Sequence, residues 1–142
     1  MASYPNVEAI ARAWLAADLN TGVPGSDRIR VENEIPGNLA YTARIVTVSD
    51  IGGPGDTQLT LDQADLAVDV YAGSREAARS LAEQVRAALR LRFRRHTDPA
   101  TGLFVSDVRT LGRPAPTPYP TAGRMARVSA TYRVWAHTAD LS

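Results

Sequence analysis

The side chains that most often carry out chemistry are sparse in this sequence. The chain of 142 residues contains no cysteine and only two histidines, His96 and His137. Without cysteine there is no disulfide, no thiolate nucleophile and no cysteine-bound metal. Neither histidine belongs to an H-x-x-x-H or histidine–carboxylate pattern, whereas a metal ion needs three or four converging ligands. No metal site is therefore predicted, and the position of His96 near a helix carboxyl end is better explained by a favourable helix-dipole contact.

A strand-glycine-helix junction, VDVYAGSREAAR at residues 68–79, is the best candidate for a phosphate cradle. Such a cradle exposes several consecutive backbone amides through glycines and usually includes a lysine. Here there is only Gly73, the chain has no lysine, and Glu76 would repel a bound phosphate. We therefore interpret the junction as a tight joint in which Ser74 caps the following helix.

Nucleophilic and acid–base catalysis find no better support. The sequence contains no G-x-S-x-G elbow, and neither histidine has a partner that the sequence reveals. Glu32 and Glu34 share one face of a predicted strand with Arg28 and Arg30, so salt bridges explain this acidic pair more simply. The sequence predicts no enzyme and no cofactor.

Composition indicates an ordinary globular protein of one domain, residues 1–142. Hydrophobic residues make up 44% and charged residues 22% of the chain, and this length is enough to bury a core. Sixteen basic residues face 15 acidic ones, a net charge of +1, which argues against a dedicated nucleic-acid binder. No secretory signal and no membrane span are predicted, so an aqueous compartment is expected.

Periodicity predicts seven regular elements. Apolar residues at helical spacing predict a first helix over Val7–Leu19, begun by Pro5 and Asn6, and a second after Gly73 that buries a stripe of apolar residues. The stripe consists of Ala78, Leu81, Ala82, Val85 and Leu89. Alternation and β-branched residues predict five strands near residues 28–34, 41–48, 65–71, 103–111 and 125–137.

The resulting order, α-β-β-β-α-β-β, predicts an α+β fold with two helices on one face of a mainly antiparallel sheet. Two irregular segments interrupt it. Glycines and a proline predict a long loop over residues 49–63, between the second and third strands. Four prolines within residues 112–123 predict an extended arm without ladder hydrogen bonds.

Three surfaces are candidates for contact with other molecules. The long loop, an arginine face of the second helix and the proline arm are irregular or charged in ways that suit partners. An ordinary solvated face is the simpler interpretation of the arginines, and the proline arm fits either an aromatic groove or a neighbouring subunit. The candidate residues are Ile51, Gly52, Gly53, Pro54, Gly55 and Asp56 in the loop; Arg75, Arg79, Arg86 and Arg90 on the helix; and Pro114, Pro116, Pro118 and Tyr119 in the arm.

The segment VDVYAGSREAARSLAEQVRAAL, residues 68–89, resembles the corresponding part of the tail-terminator (minor tail) proteins of long-tailed bacteriophages. An amino-terminal helix, an early strand ending in an IPG-like turn and a final RVSATYRVWAH strand extend the resemblance over most of the chain. It is one of architecture and loose pattern, without a catalytic motif.

The resemblance implies a structural virion protein assembled in the host cytoplasm. Members of that family form a six-fold ring on the head-proximal end of the tail tube, stop its polymerisation and join the neck. The implied partners are further copies of the chain, the major tail tube protein and head–tail connector proteins, while genomic DNA passes through the channel without specific binding. The loop over residues 49–63 would then reach the tube or a neighbouring subunit. Two alternatives stay open: a head-closure or connector protein of the same virion, and a small cytoplasmic ligand-binding module.

Overall fold

The structure, a computed structural model, describes residues 4–34, 43–58, 61–118 and 125–138. Its helices are α1 (Val7–Leu19) and α2 (Arg75–Ala87), and α2 continues into a π-helical segment, Ala88–Phe93. A short 3₁₀ turn at Gly25–Asp27 precedes the first strand. The strands are β1 (Arg30–Glu32), β2 (Ile45–Gln58), β3 (Leu61–Ala72), β4 (Phe104–Thr117) and β5 (Ala126–His137).

The five strands form one sheet in the order β1-β2-β3-β5-β4. Only the short β1–β2 pair is parallel, and all other neighbours are antiparallel. The α+β class, the element order and the mainly antiparallel sheet predicted from the sequence are therefore confirmed. The last strand lies inside the sheet, between β3 and β4, because its neighbours in space are not its neighbours in sequence.

Strand register decides which face of the sheet is buried. Val46 of β2 lies opposite Val70 of β3, which lies opposite Val128 of β5. Because side chains alternate between faces, this row places one apolar face under both helices, and it forms a single buried cluster with Leu15 of α1 and Leu81 of α2. The predicted apolar stripe of α2 and the alternation of β5 are both confirmed by burial.

Local caps set where the helices begin and end. The Asn6 side chain accepts a hydrogen bond from the Ala9 N–H, and the Ser74 hydroxyl accepts one from the Ala77 N–H, so both predicted start signals are confirmed. The π-helical segment ends just before Arg95, whose φ of 75° is left-handed and turns the chain towards β4. Gly73 is not among the glycines with positive φ, so the joint does not depend on a left-handed backbone conformation at this residue.

The predicted long loop over residues 49–63 is wrong over its described part. β2 continues to Gln58 and β3 begins at Leu61, and the two pair through repeated register shifts. Gly52, Gly53 and Gly55 all have positive φ, so they absorb the β-bulges that other residues would resist. Beyond Thr47, β2 pairs only with β3 in the part of the chain that the structure describes. This part of β2 is therefore an edge, where Pro54 is tolerated although it has no N–H to donate to a neighbouring strand.

The proline arm is extended as predicted, but the prediction that it lacks ladder pairing is wrong over residues 112–117. β4 runs to Thr117, and Pro116 lies opposite Val128 after a register shift past Gly112. β4 is the outermost strand of the sheet. A proline nitrogen, which carries no hydrogen, can face away from β5 there without loss of a hydrogen bond between the strands. The first strand is also shorter than predicted, three residues rather than seven.

Burial of Tyr132 under α2 predicts a loss of stability in alkali. The side chain is 1% exposed, and desolvation raises its pKa from 10.0 to about 12. Because the folded pKa lies above the unfolded one, this stabilisation is complete below pH 10 and disappears as the pH rises from 10 to 12. We expect the free energy of unfolding to fall by about 2–3 kcal/mol more in the wild type than in Tyr132→Phe over that interval. Urea unfolding of both proteins at several pH values measures this, and parallel curves would contradict it.

Candidate interaction surfaces

The arginine face of α2 carries four arginines that form no ion pair with a described residue. Arg75, Arg79, Arg86 and Arg90, here called the arginine ridge, lie together on one flank of the helix beside the buried stripe, because their spacing keeps them on one side of a helix. Arg86 is half-buried and the other three are exposed. None of the four forms an ion pair with a described residue. The neighbouring Arg92 and Arg94, in contrast, pair with Asp18 and Asp107.

The amino-terminal half of this ridge forms one groove with part of the proline segment. Arg75, Arg79 and Glu76 line it from α2, and Pro114 and Pro116 line it from β4, around a volume of about 320 Å³. Pro118 borders an adjoining depression that includes Arg75 and Pro116. The structure thus brings together two surfaces that the sequence predicted separately. Tyr119, the remaining predicted contact of the arm, lies outside the described residues.

The carboxyl-terminal half of the ridge surrounds an exposed leucine. Leu91 is 75% exposed, and Arg86 and Arg90 border a depression on one side of it. A second depression on the β4 side is lined by Arg90 and Leu91 together with Arg94, Asp107, Arg109 and Thr110. An exposed apolar side chain inside a charged rim that is mostly arginine has the composition of a small contact site.

The third predicted surface is the outer part of the β2–β3 hairpin. Ile51 is 58% exposed, Gly52, Gly53, Pro54 and Asp56 are exposed, and Gly55 is half-buried. The Asp50 carboxylate accepts a hydrogen bond of 2.7 Å from the Gly52 N–H, which fixes the first bulge. The contact residues proposed from the sequence therefore belong to a paired β-hairpin with an open edge in the part of the chain that the structure describes.

The outer part of the hairpin is a surface separate from the ridge and the proline segment. β2 is next to the short β1 at one edge, and β4 forms the other edge, with β3 and β5 between them. The ridge and the proline segment share their depressions on the β4 side. The helix that carries the ridge packs on β3, β5 and β4, but no described residue of the outer hairpin lines these depressions, so the hairpin and the ridge are separate surfaces.

The face of the sheet without helices carries a polar network that the sequence did not single out. Arg133 donates two hydrogen bonds, of 2.8 and 3.1 Å, to the Asp65 carboxylate, and Arg127 donates one of 3.2 Å to Asp69. The guanidinium carbons of Arg109 and Arg133 lie 5.3 and 6.0 Å from the centre of the Trp135 ring. The signal was present in the polar half of the alternating β5 pattern, but the cross-strand partners depend on register, which the sequence does not give.

The described residues contain no group of three or more histidine, aspartate or glutamate side chains that could hold a metal ion. Among the same residues, no helix is long and apolar enough to span a membrane. His96, considered above as a chemical group, stacks on Phe93 with ring centroids 5.9 Å apart and faces Trp14 at 6.2 Å. Its described surroundings are those of a packed aromatic cluster.

Comparison with known proteins gives a likeness in structure. No protein-family model matches the chain, and no curated protein matches it. Among solved structures it is similar to a chain of the virion of native gene transfer agent (GTA) particle, with 20% identity and a TM-score of 0.59, over 92% of this chain and 94% of that chain. A second solved chain is 16% identical, with a TM-score of 0.48 over 90% of this chain and 92% of that chain, which is too distant to argue from. At 20% identity, the first likeness establishes a shared fold.

Proposed function

We propose that this chain is a structural virion protein that forms a ring on the head-proximal end of a phage tail tube. The ring ends polymerisation of the tube and provides the surface to which the head joins. One observation carries this proposal: the fold matches a chain of a gene transfer agent virion over nearly the full length of both chains, 92% and 94%. Coverage of this extent also supports treating residues 1–142 as one domain.

The arrangement of the surfaces supports a ring of identical subunits. Unlike surfaces at opposite edges of a subunit produce head-to-tail contacts, and such contacts close into a ring when the rotation between neighbours permits. The hairpin and the arginine ridge are two unlike surfaces of this kind, one on β2 and β3 and the other on the helix that packs on β3, β5 and β4. The tail tube and the neck proteins are the remaining partners in this proposal, and they would contact the two faces of the ring.

The charge of the chain suits a channel through which DNA slides. The net charge is +1, so a ring of a few copies carries little excess charge to hold phosphates. Each arginine–phosphate contact would add affinity and slow passage. In this proposal the protein has no catalytic role and no cofactor, because its function is in assembly of the virion.

The length of tails made without the protein tests the proposal. In a phage that carries this gene, we expect its deletion to give overlong tails without heads, because polymerisation of the tube has lost its stop. Negative-stain electron microscopy of lysates gives the distribution of tail lengths. Expression of the wild-type gene in trans is the control and should restore both the normal length and head attachment.

Two other outcomes would contradict the proposal in different ways. Tails of normal length beside detached heads would indicate a head-closure or connector protein of the same particle. Intact infectious particles would show that the protein is dispensable for the virion, and a cytoplasmic binding role would then have to be considered.

A further inference from the structure

The β2–β3 hairpin and the helical segment that follows it carry equal and opposite charge. Residues 45–72, which form β2 and β3, contain five aspartates and no basic residue, a net charge of −5. Residues 75–95, which form α2 and the π-helical segment, contain seven arginines and two glutamates, a net charge of +5. The near-neutral total therefore conceals two regions of strong and opposite charge.

Much of this charge has no partner within the copy that carries it. On the hairpin, Asp65 and Asp69 pair with arginines of β5, but Asp50, Asp56 and Asp62 form no ion pair with any residue that the structure describes. On the helix, the four arginines of the ridge are likewise without ion pairs, as described above. Each surface therefore presents charge that is available to another molecule.

One feature of the hairpin, a pair of opposed aspartates, favours contact with a cation of another molecule. Asp56 of β2 lies directly opposite Asp62 of β3 in the register of the two strands. Like charges at directly opposed positions destabilise a strand pair, and no arginine of the described chain pairs with either carboxylate. A guanidinium placed between them would turn this repulsion into attraction, so the hairpin has the chemistry of an arginine acceptor.

Each charged surface also offers one exposed apolar side chain. Ile51 on the hairpin is 58% exposed, and Leu91 beside the ridge is 75% exposed. Large apolar side chains exposed beside unpaired charge have the arrangement of an interface, with an apolar centre and a polar rim. The two surfaces thus match in both charge and apolar content.

We propose that the hairpin of one copy docks on the arginine ridge of the next, with Asp50 and Asp56 facing the ridge arginines and Ile51 packing near Leu91. A second copy is favoured over nucleic acid because contact between copies would bring together the hairpin aspartates and the ridge arginines that form no ion pair with a described residue, whereas a phosphate backbone would leave the hairpin uncovered. This inference rests on the proposed function in one respect: it supplies the contact from which the ring is built.

Charge reversal tests the contact. The hairpin reversal is Asp50→Arg with Asp56→Arg, and the ridge reversal is Arg79→Glu with Arg90→Glu, all at exposed positions. Each double variant alone should weaken self-association about ten-fold or more, because attraction at the contact becomes repulsion. Sedimentation velocity over a range of concentrations gives the association constant, and the wild-type constant should fall as salt rises.

Mixing the two reversed proteins gives the decisive result. An equimolar mixture should associate, since the unaltered hairpin of one variant meets the unaltered ridge of the other and the two reversed surfaces also match. The control matched to the ridge reversal, Arg28→Glu with Arg30→Glu, makes the same change of net charge as that reversal at exposed positions outside both surfaces and should associate like the wild type. Unfolding midpoints for every variant show that it is folded.

The proposed contact is overturned if the wild type stays monomeric, if folded reversal variants associate like the wild type, or if the mixture fails to associate. These outcomes are separable from the tail-length experiment. Charge-sensitive association in a phage whose deletion leaves tails normal would keep the contact and remove the terminator role. Overlong tails together with charge-insensitive association would do the reverse.

Discussion

Replacing Phe93 with alanine is expected to lower the free energy of unfolding by about 3–5 kcal/mol. Phe93 is 0% exposed at the end of the π-helical segment, and its ring centroid lies 5.1 Å from that of Trp14 on α1. The side chain therefore joins the two helices above the sheet, and its removal leaves a cavity between elements that cannot both move to fill it. Because the total free energy of unfolding of a native protein is only about 5–15 kcal/mol, the variant should be barely stable.

Urea unfolding followed by circular dichroism measures this effect, and a neighbouring leucine provides the control. Leu91 lies two residues away in the same segment but is 75% exposed, so Leu91→Ala should change stability by less than about 0.5 kcal/mol. Phe93→Leu keeps most of the volume and should have an intermediate effect. If Phe93→Ala and Leu91→Ala shifted the midpoint equally, the packing assigned to Phe93 would be wrong.

Local sequence signals were sufficient for the helices and the buried face of the sheet. Asn6 and Ser74 predicted both helix starts, and their side chains make the capping hydrogen bonds. The spacing of apolar residues predicted the buried stripe of α2 because a helix that packs by one side must repeat about every 3.6 residues. Each signal concerns residues close in sequence, so no knowledge of distant partners was needed.

The two irregular segments were predicted less well because their structure depends on position in the sheet. Glycine and proline predict turns when considered locally. In the fold, Gly52, Gly53 and Gly55 supply bulges, and Pro116 lies in the outermost strand. Which strand is an edge follows from the order β1-β2-β3-β5-β4, and sequence neighbours do not reveal that order. The Asp65–Arg133 pair could not be predicted for a similar reason, because it depends on the register of β3 and β5.

The candidate contact residues show the same contrast between local sequence signals and features that depend on the sheet. Arg75, Arg79, Arg86 and Arg90 could be placed on one helix face from their spacing alone. Whether that face meets the proline segment depends on the sheet, which brings Pro114 and Pro116 of β4 next to Arg75 and Arg79. The complementarity of the two charged surfaces becomes meaningful only when contacts between copies of the chain are considered.

Gly53→Ala is expected to disrupt the hairpin more than any other single-methyl change in it. Gly53 has a φ of +111°, and a Cβ there would lie 3.0 Å from the backbone nitrogen of Asp65 and 3.1 Å from the Gln63 carbonyl oxygen. Backbone atoms of a paired strand cannot move aside as a flexible side chain can. The substitution therefore combines an unfavourable φ with overpacking.

Gly52 offers a matched control one residue earlier. Its φ is +99°, but a Cβ added there meets nothing within 4 Å, so Gly52→Ala carries the conformational strain alone, about 1 kcal/mol. Gly53→Ala should lower the free energy of unfolding by about 1–3 kcal/mol more than Gly52→Ala, as measured by urea unfolding. Equal losses would mean that the close approach to β3 is absent.

The same pair of variants connects the hairpin's shape to assembly. A displaced Gly53 moves the backbone between Asp50 and Asp56, which the proposed contact requires in fixed positions opposite the ridge. We therefore expect Gly53→Ala to weaken self-association more than Gly52→Ala does, with amide hydrogen exchange faster over residues 49–65. Faster exchange with unchanged association would show that the ridge binds some other part of the neighbouring copy, because the hairpin would then have lost its shape without losing its partner.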